Sequence, residues 1–314
     1  FLRAGIDVAF VEADAERREA AARRLSRDVR RLAGEGTPVG APSFALPGEA
    51  VPACDALFEA VDERPDLKRR VMAEWKPGLV PGGLLLSNAS SILPSEIDPA
   101  CVGMHAFYPA ALAGFCEIVV PPGCPAARRE AVESLARRAG LAPIVQDEAR
   151  AFAVNRLMLP AQDWALRAVV DGADPAAVDA AAAGTWPGWE PLAMMDAIGL
   201  DVVAASVARY RGRMEPRQAA SLAVLQDATE ALLAAGKRGA KNGDGLRQGA
   251  PLPWPCRGDV PDGLGADLQA LFLNACMRAL DTRDMDPAGL ALALSGLFGV
   301  RYPPAEGGQM DEEI

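Results

Sequence analysis

Gly5-Ile6-Asp7-Val8-Ala9-Phe10-Val11-Glu12 is the stretch on which the fold turns. Its apolar run, Val8–Val11, is short, β-branched and aromatic, which suits a buried strand. The run closes on an acid, Glu12. Two residues later Asp14 stands where it can cap a long charged helix that stops at Gly34 and Gly36. A short apolar strand passing directly into a charged helix is a βα unit. The same alternation continues downstream, with strands expected at residues 56–60, 84–87, 102–107, 118–120 and 143–145. Helices fit between them at 67–75 and 126–139. The stretch from the first helix to about Val51 is rich in Pro and Gly and reads as loop. The pattern predicts an α/β domain with a parallel sheet over residues 1–147.

Beyond residue 150 the strand signals end and two segments resemble each other. Arg167-Ala168-Val169 leads through Asp174-Pro175 into an alanine-rich helix ending at Gly184. Arg278-Ala279-Leu280 leads through Asp286-Pro287 into another, ending at Gly296. Each continues through prolines (Pro187 and Pro191; Pro303 and Pro304) to an aspartate, Asp196 or Asp311. This predicts two tandem helical domains, 148–248 and 262–314, joined by a loop over 249–262. The fold class is therefore α/β, then all-α.

Composition narrows the function. A net charge of -10 argues against a nucleic-acid surface, which needs a basic face. The six cysteines form no CxxC pair and no metal-ligand spacing, so they read as reduced thiols of a cytoplasmic protein. With a single histidine, a histidine-rich metal site is excluded. No apolar run approaches the roughly 18–20 residues of a membrane span, and Asp7, Glu12 and Asp14 interrupt the early apolar stretch that a signal peptide would need.

The lone histidine lies in Gly103-Met104-His105-Ala106-Phe107-Tyr108-Pro109, where an apolar strand gives way to a proline turn. Strand ends at the carboxyl edge of a parallel sheet are where α/β enzymes bind ligands. Glu117 follows twelve residues on, at the head of the next apolar run. A carboxylate beside an imidazole sets its tautomer and stabilises the cation formed when it accepts a proton. From these residues alone, a structural histidine and a solvent-exposed strand-end glutamate stay open as the other reading.

A series of motifs then falls in order: Phe58-Glu59-Ala60-Val61, Lys68, Ser87-Asn88-Ala89-Ser90-Ser91, Gly103-Met104-His105 and Glu117-Ile118-Val119. Val154-Asn155-Arg156-Leu157, Gly199-Leu200-Asp201 and Gly239-Ala240-Lys241-Asn242-Gly243-Asp244-Gly245 continue it. The series resembles the 3-hydroxyacyl-CoA dehydrogenases along essentially the whole chain. The segment from Leu271 to Gly308 is similar to the second helical domain of multifunctional fatty-acid oxidation proteins. The resemblance implies a Rossmann-type domain that binds NAD and an acyl-CoA substrate. No G-x-G-x-x-G occurs, and residues 5–12 look like the end of the first helix and the second strand of such a fold. The first strand and its glycine-rich phosphate turn are therefore expected upstream of Phe1, making this an N-terminally truncated domain.

The resemblance implies roles residue by residue. His105 takes the proton of the 3-hydroxyl as hydride leaves for the nicotinamide, and Glu117 orients and stabilises His105. Ser90 hydrogen-bonds the substrate oxygen near the nicotinamide, and Asn155 also faces the substrate. Glu12 binds the adenine ribose and favours NAD over NADP, because a carboxylate repels a 2′-phosphate. Glu63, Lys68 and Lys241 line the cofactor site. For these last three the bland readings are a loop charge, a helix-surface charge and a loop charge. The basic run Arg17, Arg18, Arg23, Arg24, Arg27, Arg30 and Arg31 matches a region that approaches the CoA phosphates, or is a solvated face interleaved with Glu16, Glu19 and Asp28.

Three departures stand out. Tyr108 replaces an asparagine, Ala89 replaces a threonine, and the P-M-G-P turn has become Pro187-Gly188-Trp189-Glu190-Pro191. The reaction expected is oxidation of (S)-3-hydroxyacyl-CoA to 3-oxoacyl-CoA. The alternatives are a dehydrogenase of a free hydroxy acid or carnitine-like substrate, and a non-catalytic assembly subunit. A homodimer or a larger β-oxidation complex are the assemblies the resemblance allows.

Overall fold

Asp14 caps the first helix: its Oδ1 accepts from the Arg17 N–H at 2.7 Å, filling one of the donor positions that a helix start leaves open. The computed structural model describes residues 1–34, 39–107, 113–186, 188–258 and 260–298. The described chain divides into two units: residues 1–89 with 93–148, and residues 90–92 with 149 onward. Tyr108, Pro187, Pro303 to Gly308 and Asp311, singled out above, lie outside the described residues.

In the first unit, β1 (Val8–Val11) leads into α1 (Ala15–Gly34), and β2 (Pro42–Ala45) pairs with β1 in parallel. The loop expected up to Val51 thus contains a strand. Its signal was hidden because Pro42 opens a run only four residues long, in which Phe44 stacks on Phe10 across the pair at 5.4 Å. On α1, Arg17 and Arg23 form exposed pairs with Asp14 and Glu19, worth little in water.

A second sheet has the order β3 (Cys54–Glu59), β4 (Leu79–Ser87), β5 (Cys101–Ala106), β6 (Phe115–Val120), β7 (Ala142–Asp147). Helix α2 (Pro65–Trp75) separates β3 from β4, the short α3 (Pro94–Ile97) precedes β5, and α4 (Ala126–Arg138) connects β6 to β7. The sheet departs from the all-parallel expectation at one seam. β5 and β6 run antiparallel, because the connection between them is too short to carry a crossover helix. The remaining pairs are parallel.

Alternation along the strands sorts the side chains. Val102, Met104, Cys116 and Ile118 point to one face and pack with Val132 and Ala136 of α4, all buried. Gly103, His105, Glu117 and Val119 therefore share the other face. Gly103 is required there: a Cβ on it would lie 2.9 Å from Val119 Cβ and 3.1 Å from Pro94 Cγ.

The second unit is helical: α5 (Ala153–Val170), α6 (Pro175–Thr185), α7 (Pro191–Ile198), α8 (Leu200–Arg211), α9 (Pro216–Ala220), α10 (Ala223–Ala234), α11 (Leu264–Asp281) and α12 (Pro287–Phe298). Two helix pairs share one design. α5 and α11 are each 18 residues long, and each is followed by an Asp-Pro start. Asp174 accepts from Ala177 N at 2.9 Å and Asp286 from Gly289 N at 2.6 Å. α11 packs on both α5 and α6. Buried aspartates stitch the unit together. Asp163 receives the Leu225 N–H at 2.7 Å, and Asp179 receives those of Leu192 and Ala193 at 2.9 Å. Desolvation raises both carboxyls above the usual range, against the lowering effect of these bonds. Asp196, which closes the first repeat, accepts from Leu246 N and Arg247 N. No single described helix is long and apolar enough to cross a membrane.

Burial also governs the thiols. Desolvation pushes the Cys116 thiol up to about 12 and that of Cys276 to about 11, and raises Cys101 further. Since the thiolate is the reactive form, a maleimide at neutral pH is expected to label the exposed Cys256 and to spare these three until the protein unfolds. Mass spectrometry of the labelled protein checks this; fast native labelling of Cys116 would contradict the packing of β6.

Candidate active site

The antiparallel register of β5 and β6 makes His105 and Glu117 direct partners on one face of the sheet. His105 Nδ1 lies 2.9 Å from Glu117 Oε2. His105 is 7% exposed and Glu117 fully buried. Glu117 is thus neither at the head of its strand nor in solvent, as the bland reading had it: β6 begins at Phe115 and carries Glu117 in its interior. Its other oxygen, Oε1, accepts from Gln146 Nε2 at 2.6 Å. Gln146 sits on β7, two residues past Ile144, the register partner of Glu117, so it shares the same face. Phe107 packs at 4.4 Å from the His105 ring and stacks on Phe115, giving the imidazole an apolar border.

The backbone around His105 is held by a neighbouring polar net. Asn88, just past β4, accepts the Ala106 N–H through Oδ1 at 3.0 Å and donates its own N–H to the Glu59 carbonyl at 2.8 Å. Glu59 is buried at the end of β3. Its carboxylate receives Lys68 Nζ at 3.0 and 3.1 Å, Ser87 Oγ at 2.6 Å and Val61 N at 2.6 Å. Lys68 is 1% exposed, donates also to the Val61 carbonyl at 2.9 Å and lies 3.4 Å from Glu63. The structure thus places Lys68 and Glu63 together in a buried knot that pins the carboxyl ends of β3 and β4.

In the helical unit, Ser90 and Asn155 come together. The Ser90 carbonyl accepts from Asn155 Nδ2 at 3.2 Å and from Tyr210 Oη at 2.5 Å, and Arg213 donates to the Ser91 carbonyl. Lys241 lies at the surface, paired with Asp201 at 2.8 Å. Glu12 stands half-buried at the end of β1, its Oε2 accepting from Ala13 N at 3.2 Å. The substituted residue Ala89 is buried, and so is Trp189 of the altered turn, against Phe272 at 5.6 Å. The sequence reading names neither Gln146, Tyr210 nor Arg213, and it gives Glu59 and Ser87, which lie in motifs of the series, no role of their own. The signal was weak: a polar residue at an inward position of an apolar strand, as at Gln146 and Ser87, marks a buried partner.

Two family models match this chain: the NAD binding domain of 3-hydroxyacyl-CoA dehydrogenase over residues 1–149 and its C-terminal domain over residues 152–248. The chain belongs to the 3-hydroxyacyl-CoA dehydrogenase family. Its enzyme class is accordingly NAD-dependent 3-hydroxyacyl-CoA dehydrogenase, with NAD as cofactor. Solved structures of similar fold include 3-hydroxybutyryl-CoA dehydrogenase from Escherichia coli K12, at 19% identity and TM-score 0.73 over 95% of this chain and 85% of that one. (S)-3-hydroxybutyryl-CoA dehydrogenase from Ralstonia eutropha gives 22% identity and TM-score 0.66 over 80% and 93%. The dehydrogenase part of a multifunctional enzyme from C. elegans gives 15% and 0.51 over 99% and 76%. At these identities the structural likeness speaks for the fold. A sheet domain followed by a helical C-terminal domain is that fold.

Proposed function

We propose that this protein oxidises (S)-3-hydroxyacyl-CoA to 3-oxoacyl-CoA, reversibly, in β-oxidation or a related acyl-CoA pathway of the cytoplasm. The observation that carries the reading is the buried pair formed by His105 Nδ1 and Glu117 Oε2 at 2.9 Å. With Nδ1 donating to the carboxylate, Nε2 becomes the basic nitrogen and takes the hydroxyl proton of the substrate. The imidazolium so formed is stabilised by a carboxylate shielded from water, where charge interactions are strong. NAD supplies the hydride acceptor. Ser90 hydrogen-bonds the substrate oxygen, and Asn155, fixed against the Ser90 carbonyl, faces the substrate. Glu12, half-buried at the end of β1, suits the ribose hydroxyls as an acceptor. Glu63, Lys68 and Lys241 border the cofactor, Lys68 and Glu63 by shaping that border through the β3 and β4 ends.

The test is NADH formation by the full-length protein, followed by absorbance, with 3-hydroxyacyl-CoA, free 3-hydroxy acids and carnitine offered separately. Turnover confined to the CoA ester is the expected result. Equal turnover of a free acid would overturn the substrate assignment, and none with any substrate would favour an assembly role. The helical repeat over 262–314 is a further part of this proposal, as a second helical domain of the multifunctional type.

Cofactor choice provides a second check. NAD is expected to outperform NADP in kcat/KM, and Glu12→Ala is expected to narrow that gap by about tenfold or more, on the order of 1.4 kcal/mol. Steady-state kinetics with both cofactors decide it; an unchanged ratio would place Glu12 away from the ribose.

A further inference from the structure

The Glu117 carboxylate is gripped from both sides: His105 on β5 takes Oε2 and Gln146 on β7 takes Oε1, at 2.9 and 2.6 Å. Gln146 is 4% exposed and belongs to no motif that identifies the family residues above. A buried amide on an apolar strand is expensive to retain unless its donor is used. We infer that Gln146 is a positioning residue that, through Glu117, sets the orientation and the basicity of His105.

Two effects act on Glu117. A carboxylate held by one bond can rotate about its last torsion, whereas one held at both oxygens by two flanking strands is fixed in plane with the imidazole Nδ1–H. The amide donor also draws charge toward Oε1, which moderates the pull of Oε2 on the imidazolium. Gln146 supplies this donor without adding a net charge.

Among the described residues, further charged or titratable groups lie on the elements around the pair. On β7 and the turn after it, Asp147 is exposed and Glu148 caps Ser95 at both N and Oγ, at 2.7 Å. Helix α4 carries Arg128, Arg129, Glu130, Glu133, Arg137 and Arg138, but it packs on the opposite face of the sheet, where Cys116 also points. On α3, Glu96 is exposed. Cys101, at the far end of β5, is buried, and beyond β4 the charges of Lys68 and Glu59 offset each other.

The inference deepens the proposed reaction and rests on it where turnover is concerned, but its first test does not need turnover. The chain has one histidine, so the imidazole resonances of His105 can be followed by NMR against pH without assignment. Gln146→Met keeps the length and removes the donor. The carboxylate then attracts the imidazolium more strongly, and the His105 midpoint is expected to move to higher pH by about half a unit or more. Gln146→Lys keeps a donor and adds positive charge, so the midpoint is expected to move the other way. The acid limb of kcat/KM should follow the same two shifts, with kcat for Gln146→Met lowered by about tenfold.

A side chain that merely fills space would not produce opposite shifts from two variants of similar length. Superimposable NMR titrations of the folded variants would overturn the inference, whatever the activity. Opposite NMR shifts in a protein that turns over no acyl-CoA would uphold the coupling and reject the reaction. If Gln146→Met fails to fold, Gln146→Leu replaces it with the same expected rise; if Gln146→Lys fails to fold, Gln146→Arg replaces it with the same expected fall.

Discussion

His105→Ala is expected to lower kcat by about 10²–10⁴-fold, the range a general base contributes, with NAD affinity near that of the unmutated enzyme. The loss should fall on kcat because, in the proposed reaction, His105 acts on the reacting hydroxyl. In the proposed site the cofactor instead borders the ends of β1, β3 and β4. Glu117→Gln is expected to be nearly as damaging, on the order of 10²-fold or more, for a reason visible in the geometry. The carboxylate accepts on both sides, from His105 and from Gln146. An amide there has one acceptor. If its oxygen faces His105, its NH2 is set against the NH2 of Gln146. If it turns over, its NH2 meets Nδ1 and forces the imidazole proton onto Nε2, where the base has to be. Steady-state and isothermal binding measurements on the full-length protein separate the two quantities. Near-normal turnover by His105→Ala would end this mechanism.

Lys68→Met is expected to destabilise the sheet unit by about 3–5 kcal/mol, the cost of breaking one side of a buried ion pair. Lys68 is 1% exposed, and its ammonium is spent on both oxygens of Glu59 and on the Val61 carbonyl. The variant leaves the Glu59 charge buried with Ser87 Oγ and Val61 N as neutral donors. Lys68→Met with Glu59→Gln removes that stranded charge and should recover much of the loss. Urea unfolding of the three proteins, followed by far-ultraviolet circular dichroism, measures the difference. A penalty below about 1 kcal/mol for the single variant would mean that the knot is hydrated in solution and behaves as a surface pair. The same variant should also lower activity, because Asn88, which holds the Ala106 N–H beside His105, hangs from the Glu59 carbonyl.

Local chemistry made much of this protein readable. Apolar runs of four to nine residues separated by charged helices encode an α/β layer, because strand and helix periods leave different traces. Asp14, Asp174 and Asp286 announce helix starts because a short acidic side chain reaches the open N–H groups of the first turn. The lone histidine and the glutamate twelve residues on were visible as candidates. β2 was not, since a four-residue strand opened by proline has too little length to show alternation.

By itself the sequence determined the βα alternation, the change to helices after residue 150, the helix starts, and the short roster of groups able to move a proton. Only the tertiary structure decided that β6 returns antiparallel, and with it which of those groups meet. A one-residue slip in the pairing of β5 and β6 would turn Glu117 toward the Met104 and Ile118 core and away from His105. Nor could local reading find that Gln146 closes on Glu117 from β7, or that Lys68 is consumed by Glu59. Each partnership joins residues from different strands or helices, and the register that brings them together is set by packing the whole sheet against its helices. Periodicity reports which way a side chain points within its own element; what it meets there is fixed by the neighbouring element.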